Sequence, residues 1–583
     1  MKTRFLTGLL FLFSVALHAQ LNRGGVPWSF YLDTGTPHNV DIVLPPPDLD
    51  LIAAEDLLSP IPYRFAVNLP VNVGISMPKK DSDTRYEMRD YQHESDTCET
   101  HIANLISRIT NPGTWITLPS GDRIWLFTIQ APGAKAITVY FDRFYIPSGG
   151  RLFLYNSDRS KLLGAFTDLN NNKDSTFSTA LISGEQITLE YDQPASTSTM
   201  PDLYISEIAY AYRGVPEFTD RTGFGASGPC EVNIHCEEGD HWQEQQKGVA
   251  RIAAKKLGST YWCSGSLINN TRQDKTPYFL TADHCGKSTK PSDFNQWIFY
   301  FNYDSPTCSN PSIEPGFRSM TGAEVKSSAG DLNVGGSDFL LLLLNNAVPD
   351  TFDVWFNGWN REDISSPSGV GIHHPMGDIK KISTYTMPLI SDSWVSIPEK
   401  THWKVKWAAT TNGHGVTEGG SSGSPLFDPG GRVVGTLTGG ESLCDSGSLN
   451  SPDYYGKFSY SWDMNGTETA KRLDFWLDPD NTGVMVLDGI PLNISEPEVQ
   501  SSDLKLFPNP VSGILHLNST LLKNQGPIRI DLLDSWGRKV ASFTKIIDNS
   551  GHLTVDLSSF PNGFYLINIS SAELSLTGRI IKL

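Results

Sequence analysis

A histidine, an aspartate and a serine stand along this 583-residue chain in an order that acyl transfer can use. His284 lies in Thr281-Ala282-Asp283-His284-Cys285. Asp338 opens the apolar run Phe339 to Leu344, and Ser422 sits in Gly419-Gly420-Ser421-Ser422-Gly423-Ser424-Pro425. A serine hydroxyl is a weak nucleophile until an imidazole removes its proton, and a carboxylate behind the imidazole holds the required tautomer. The oxyanion formed on attack needs two convergent N–H donors. Ser422 suits the nucleophile better than Ser421 or Ser424, because Gly423 follows it and Gly420 lies two residues before it. The amides of Gly420 and Ser422 then aim at one oxygen.

The elements that must position these residues read as short strands. Leu340 to Leu344 is too short for a bilayer and suits a buried strand with Asp338 at its mouth. Pro425-Leu426-Phe427 enters a strand directly after the serine turn, as a flexible linker would not. Thr467 to Leu477 reads as a helix, with Ala470, Leu473, Trp476 and Leu477 on one face. His373-His374-Pro375 reads as a structural loop: adjacent histidines seldom aim at one ion, and no carboxylate stands at useful spacing. No metal or other cofactor is expected.

Residues 1–19 have a basic start and a short apolar stretch, the pattern of a secretory signal. Seven cysteines suit an oxidising compartment, and six of them (Cys230, Cys236, Cys263, Cys285, Cys308, Cys444) fall within residues 225–490, with Cys98 apart upstream. Their pairing is open at this level. The net charge of −18 argues against nucleic-acid binding. No later stretch is long and apolar enough for a transmembrane helix.

The expected architecture is mostly β. Residues 20–224 read as a pro-region whose part from about 115 to 195 is a β-sandwich. Residues 225–490 form the domain with the catalytic motifs, 491–503 a linker, and 504–583 a small β-sandwich module.

Residues 225–490 resemble the bacterial lysyl endopeptidases, secreted enzymes with the chymotrypsin and trypsin double β-barrel. The resemblance rests on Gly228-Pro229-Cys230, Gly265-Ser266-Leu267-Ile268-Asn269-Asn270, Phe279 to Gly286, Ser337-Asp338-Phe339, Gly371 to Pro375, Gly415 to Pro425 and Trp476-Leu477-Asp478-Pro479. It implies a triad of His284, Asp338 and Ser422, and disulfides Cys230–Cys444, Cys236–Cys308 and Cys263–Cys285. It also implies polypeptide substrates cut after lysine. Asp453, in Asp453-Tyr454-Tyr455-Gly456, would pair with the substrate cation. The family places a histidine and a tryptophan beside this pocket; here Thr438 stands at the histidine's place and Trp394 supplies the tryptophan, so arginine is a second acceptable side chain. Ser421 stands where animal trypsins carry the aspartate that receives a new N-terminus, so latency is expected to come from the pro-region, and Arg221 is the basic residue nearest the junction.

Residues 504–583 resemble the type A sorting domains of the type IX secretion system, through Phe507-Pro508-Asn509-Pro510, Asp534 to Arg538 and Leu557 to Tyr565. That implies export by this machinery, as a released or surface-attached protein. The rival readings are a secreted binding or adhesive protein with an inactive protease domain, and a protease of glutamyl specificity.

Overall fold

The computed structural model describes residues 24–32, 40–58, 62–75, 109–110, 112–213, 224–329, 336–394, 399–492, 504–519, 522–523, 527–534, 539–546, 551–570 and 575–583. The signal, Cys98, Arg221 and most of the linker lie outside the described residues. The chain divides into two compact units, Met1–Leu492 and Asn493–Leu583.

The first barrel closes through one residue. Strands run side by side in the order Ala323–Ala329, Phe339–Leu344, Tyr278–Ala282, Ser259–Leu267, Val249–Lys256, Ile298–Phe301 and Arg318–Thr321. Only Gly322 separates the last strand from the first, so the two ends of the sheet meet. Inside lie Ile252, Leu267, Phe279, Phe299, Met320, Leu342 and Leu344.

The leucine run is buried for a reason that its alternation explains. Successive side chains of a strand point to opposite faces. Leu340, Leu342 and Leu344 fill the first barrel, whereas Phe339 and Leu341 enter a second core that also holds Ile372, Phe427 and Val433 of the second barrel. One strand thus serves two cores, and Asp338 is placed where the barrels meet.

The second barrel is built from Gly369–His373, Lys381–Tyr385, Pro425–Phe427, Val433–Gly440, Asp453–Lys457 and His402–Val405, with Ile390–Asp392 at one edge. Tyr385, Trp403, Trp407, Leu426, Leu437 and Tyr455 pack inside it. The disulfides are Cys230–Cys444, Cys236–Cys308 and Cys263–Cys285.

The helix expected over Thr467 to Leu477 is two short turns, Thr469–Lys471 and Asp474–Leu477. Arg472 between them is extended (φ −138°, ψ 147°), so no continuous helix forms. Leu473 and Leu477 still reach the core between the barrels.

The upstream region forms two packed sheets, and strands outside 115–195 belong to it. One sheet holds Thr114–Thr117, Arg123–Gln130, Gln186–Gln193, Arg151–Asn156 and Leu162–Phe166. The other holds Ala136–Tyr145, Asp202–Ala211 and Tyr63–Ile75. Trp125, Phe127, Val139, Phe141, Leu189 and Ile208 lie between them. The Tyr63–Ile75 strand continues this sheet into the first barrel: it pairs antiparallel with Ser259–Leu267, setting Tyr63 opposite Trp262 and Val67 opposite Ser259. Phe65 stacks on Trp262 with ring centroids 3.9 Å apart.

In the second unit, a sheet of Lys505–Phe507, Ile514–Asn518 and His552–Asp556 accompanies one of Lys539–Ile546, Pro527–Asp534, Gly563–Ser570 and Ser575–Lys582. Leu515, Leu517, Ile530, Ile567 and Ile580 form its core.

Candidate active site

Three segments meet at the junction of the barrels. His284 stands in the short helix Asp283–Gly286, directly after the strand Tyr278–Ala282. Its Nδ1 lies 2.7 Å from Asp338 Oδ2, and its backbone N–H donates to Asp338 Oδ1 at 3.0 Å. The carboxylate is fully buried, so both contacts fix the imidazole plane in a water-poor setting where they are strong. Asp338 adopts a left-handed φ of +55°, a conformation uncommon outside glycine, asparagine and aspartate. His284 Nε2 is buried and has no hydrogen-bond partner among the described residues.

The serine turn is tied to the histidine through Ser264, which neighbours Cys263 and so the Cys263–Cys285 bridge. Ser264 N–H donates to the Ser422 carbonyl at 2.8 Å. Its hydroxyl donates to the Gly420 carbonyl at 2.9 Å. Among the described residues, no hydrogen bond joins Ser422 Oγ to His284. Gly420 has φ +94°, and a side chain there would press on the backbone of His374, Met376 and Gly377. Among the described residues, the Gly420 and Ser422 amides have no internal acceptor.

Ser421 is buried. His373 Nδ1 lies 2.8 Å from its hydroxyl, which also accepts from Glu418 N–H at 3.2 Å. The two histidines are therefore structural in different ways: His373 steadies the serine turn, and His374 Nδ1 meets the Asp378 carbonyl at 2.9 Å.

Asp453 is buried at the start of its strand. Its Oδ2 accepts from Trp407 Nε1 at 2.6 Å, Thr417 Oγ1 at 2.7 Å and Ser442 Oγ at 2.6 Å. Among the described residues, its Oδ1 accepts only the Ser442 N–H, at 3.2 Å. Burial pushes the carboxyl above its usual range, against the opposing pull of those donors. Trp394 stands edge-on to Tyr454, with ring centroids 5.7 Å apart. Thr438 is buried, and its hydroxyl lies 3.0 Å from His402 Nε2. Burial holds the His402 imidazole down to about 4, so it is neutral at ordinary pH.

Sequence reasoning missed Trp407, Thr417, Ser442 and His402. Thr417 lies inside a segment that carried the family resemblance, and the others stand in segments with no local chemical pattern.

Residues 224–456 match the family model described as the lysyl endopeptidase C-terminal domain. The chain thus carries a domain similar to those of lysyl endopeptidases. Residues 505–583 match the secretion system C-terminal sorting domain, so this serine endopeptidase is a secreted protein linked to the type IX pathway. A lysyl endopeptidase of Pseudomonas aeruginosa is 28% identical over 362 residues, 59% of this chain and 75% of that protein. Among solved structures, the protease Anisep of Arthrobacter nicotinovorans is 19% identical, over 36% of this chain and 90% of that one, with a TM-score of 0.26. The thermostable serine protease AL20, from an extremophilic microorganism, is 15% identical over 37% and 92%, with a TM-score of 0.27. No helix among the described residues is long and apolar enough to cross a membrane.

Proposed function

We propose that this endopeptidase cleaves polypeptides after lysine, with Ser422 as nucleophile, His284 as general base and then acid, and Asp338 orienting His284. The Gly420 and Ser422 amides hold the oxyanion. The hydroxyl proton passes to His284 Nε2 as Ser422 attacks the carbonyl, and from there to the leaving amine.

The observation that carries the lysine reading is the uneven loading of Asp453. Three donors occupy Oδ2, while Oδ1 carries a single long bond. A lysine ammonium needs one acceptor oxygen, whereas arginine binds best through a fork that uses both oxygens of a carboxylate. A glutamate side chain would meet a buried carboxylate and be repelled. The expected result on peptides differing only at the residue before the cut is kcat/KM for lysine at least about tenfold above arginine. Glutamate and leucine should be poorer by about 1,000-fold or more. Equal use of arginine would remove the argument from Oδ1, and preferred cleavage after glutamate would remove Asp453 as the selector.

Residues up to 213 act in this reading as the latency element. The Tyr63 ring lies against Gly419, three residues before Ser422, and Arg213 sits over the same ring at 4.4 Å. Asp56 holds Arg64 at 2.7 Å and Arg213 at 2.5 Å. Replacing Tyr63 and Phe65 together by alanine removes the ring on Gly419 and the stack on Trp262. Peptide hydrolysis by the uncut chain is then expected to rise at least about tenfold, because truncating a buried phenylalanine costs about 3–5 kcal/mol of packing. An unchanged rate in the uncut chain would assign latency elsewhere.

A further inference from the structure

We infer that Asp378 is a positioning residue for the oxyanion hole, clamping the chain segment 225–227 against the back of the Gly419–Gly420 peptide. The inference rests on the reading of Ser422 and Gly420 given above. Asp378 is buried, and its carboxylate is filled by the entering chain. Oδ1 accepts the Gly225 N–H at 2.7 Å, together with the Ile379 N–H at 2.7 Å. Oδ2 accepts the Ser227 N–H at 3.2 Å and the Ser227 hydroxyl at 2.5 Å. One residue further, the Gly228 N–H donates to Glu418 Oε2 at 3.0 Å, at the residue that leads into the serine turn. Phe224 anchors the same segment in a small core with Tyr303 and Ile379.

The other side of Asp378 reaches the catalytic peptide through a five-residue loop. Asp378 N–H donates to the Pro375 carbonyl at 2.8 Å, and the Asp378 carbonyl receives His374 Nδ1. Met376 N–H donates to the Gly419 carbonyl at 2.5 Å, which orients the peptide whose N–H belongs to Gly420. A peptide group is planar, so fixing the Gly419 oxygen fixes the direction of the Gly420 N–H. His374 N–H also donates to Ser264 Oγ at 3.0 Å, and that hydroxyl holds the Gly420 carbonyl. Arg251 secures the loop through the Gly377 carbonyl at 2.6 Å. The loop cannot slide without turning the amide away.

Ser421 carries no charge and is engaged by His373, so the pairing used by animal trypsins at that place is absent here. Asp378 supplies a different anchor, and it is satisfied by an amide N–H of an uncut chain. The oxyanion hole is therefore formed before any cleavage at this junction, and processing has only to remove the cover.

The test is Asp378→Asn in the enzyme secreted from cells expressing the full chain, with Ser227→Ala as the second variant. Asparagine keeps one acceptor but sets an amide N–H against the Ser227 N–H. We expect kcat to fall by about 10- to 100-fold with KM within about twofold, since a misplaced donor weakens only the transition state. A peptide aldehyde that mimics the tetrahedral intermediate should lose affinity by the same factor, while an uncleaved product peptide keeps its own. Ser227→Ala should show the same pattern at a smaller size. Equal losses of aldehyde and product binding would mean a general structural role and overturn the inference. So would wild-type kcat in both variants. If Ser422→Ala retains activity, the reading of the site has failed; if it is inactive while both clamp variants keep full kcat, the clamp alone has failed.

Discussion

Ser422→Ala is expected to lower kcat/KM on lysyl peptides by about 10⁶-fold and to abolish labelling by a serine-directed fluorophosphonate. The residual rate should remain above that of water, because the Gly420 and Ser422 amides still polarise the carbonyl. The fold should not suffer. Among the described residues, no hydrogen bond runs to Ser422 Oγ: the turn is held instead by its carbonyl on Ser264 N–H and by Ser424 N–H on the Ser421 carbonyl. Thermal unfolding should accordingly shift little, and equal loss in Ser421→Ala would point to the turn rather than the hydroxyl. Peptide hydrolysis and labelling measured together decide the matter. Full activity in Ser422→Ala would end the assignment of the nucleophile, and labelling at Ser424 would move it.

What was legible in the sequence is what local spacing encodes. Phe339 to Leu344 announced a strand because five leucines in six residues have no exposed face to offer, and its alternation between two cores is the reason. The serine turn was legible because Gly420 and Gly423 stand at fixed offsets from Ser422. The helix over Thr467 to Leu477 was misread for the complementary reason: Leu473 and Leu477 do reach the core, but by separate turns, and an apolar period records burial rather than a continuous backbone. The chemistry around Asp453 was only half legible. Trp407, Thr417 and Ser442 come from three segments that meet only after the barrel forms, and nothing in their neighbours marks them as donors. The clamp at Asp378 has the same character, since its partners Gly225 and Ser227 lie about 150 residues upstream. The shared sheet between Tyr63–Ile75 and Ser259–Leu267 likewise depends on a long-range pairing with no local signal.

Asp453→Asn should separate selection from catalysis. The three donors that converge on Oδ2 are an indole N–H and two hydroxyls held by the surrounding barrel. An asparagine can satisfy them only by turning its carbonyl oxygen toward them, which leaves its NH₂ group where Oδ1 stood. The pocket then presents a donor to an incoming ammonium, and a cation enters without a partner. A site built to bond one group rejects a mismatched one by about 10⁴-fold, so kcat/KM for lysine should fall by about that factor. Fluorophosphonate labelling at Ser422 should continue, because Asp453 touches neither His284 nor Asp338. The pH profile carries an independent sign. Burial raises the Asp453 carboxyl above its usual range, so in the wild type lysine cleavage is lost on acidification as that carboxyl protonates. The asparagine variant has no such group, and its residual cleavage should lack that acid limb. A variant that retains wild-type lysine cleavage, or that loses labelling together with cleavage, would show that Asp453 supports the barrel rather than reading the substrate.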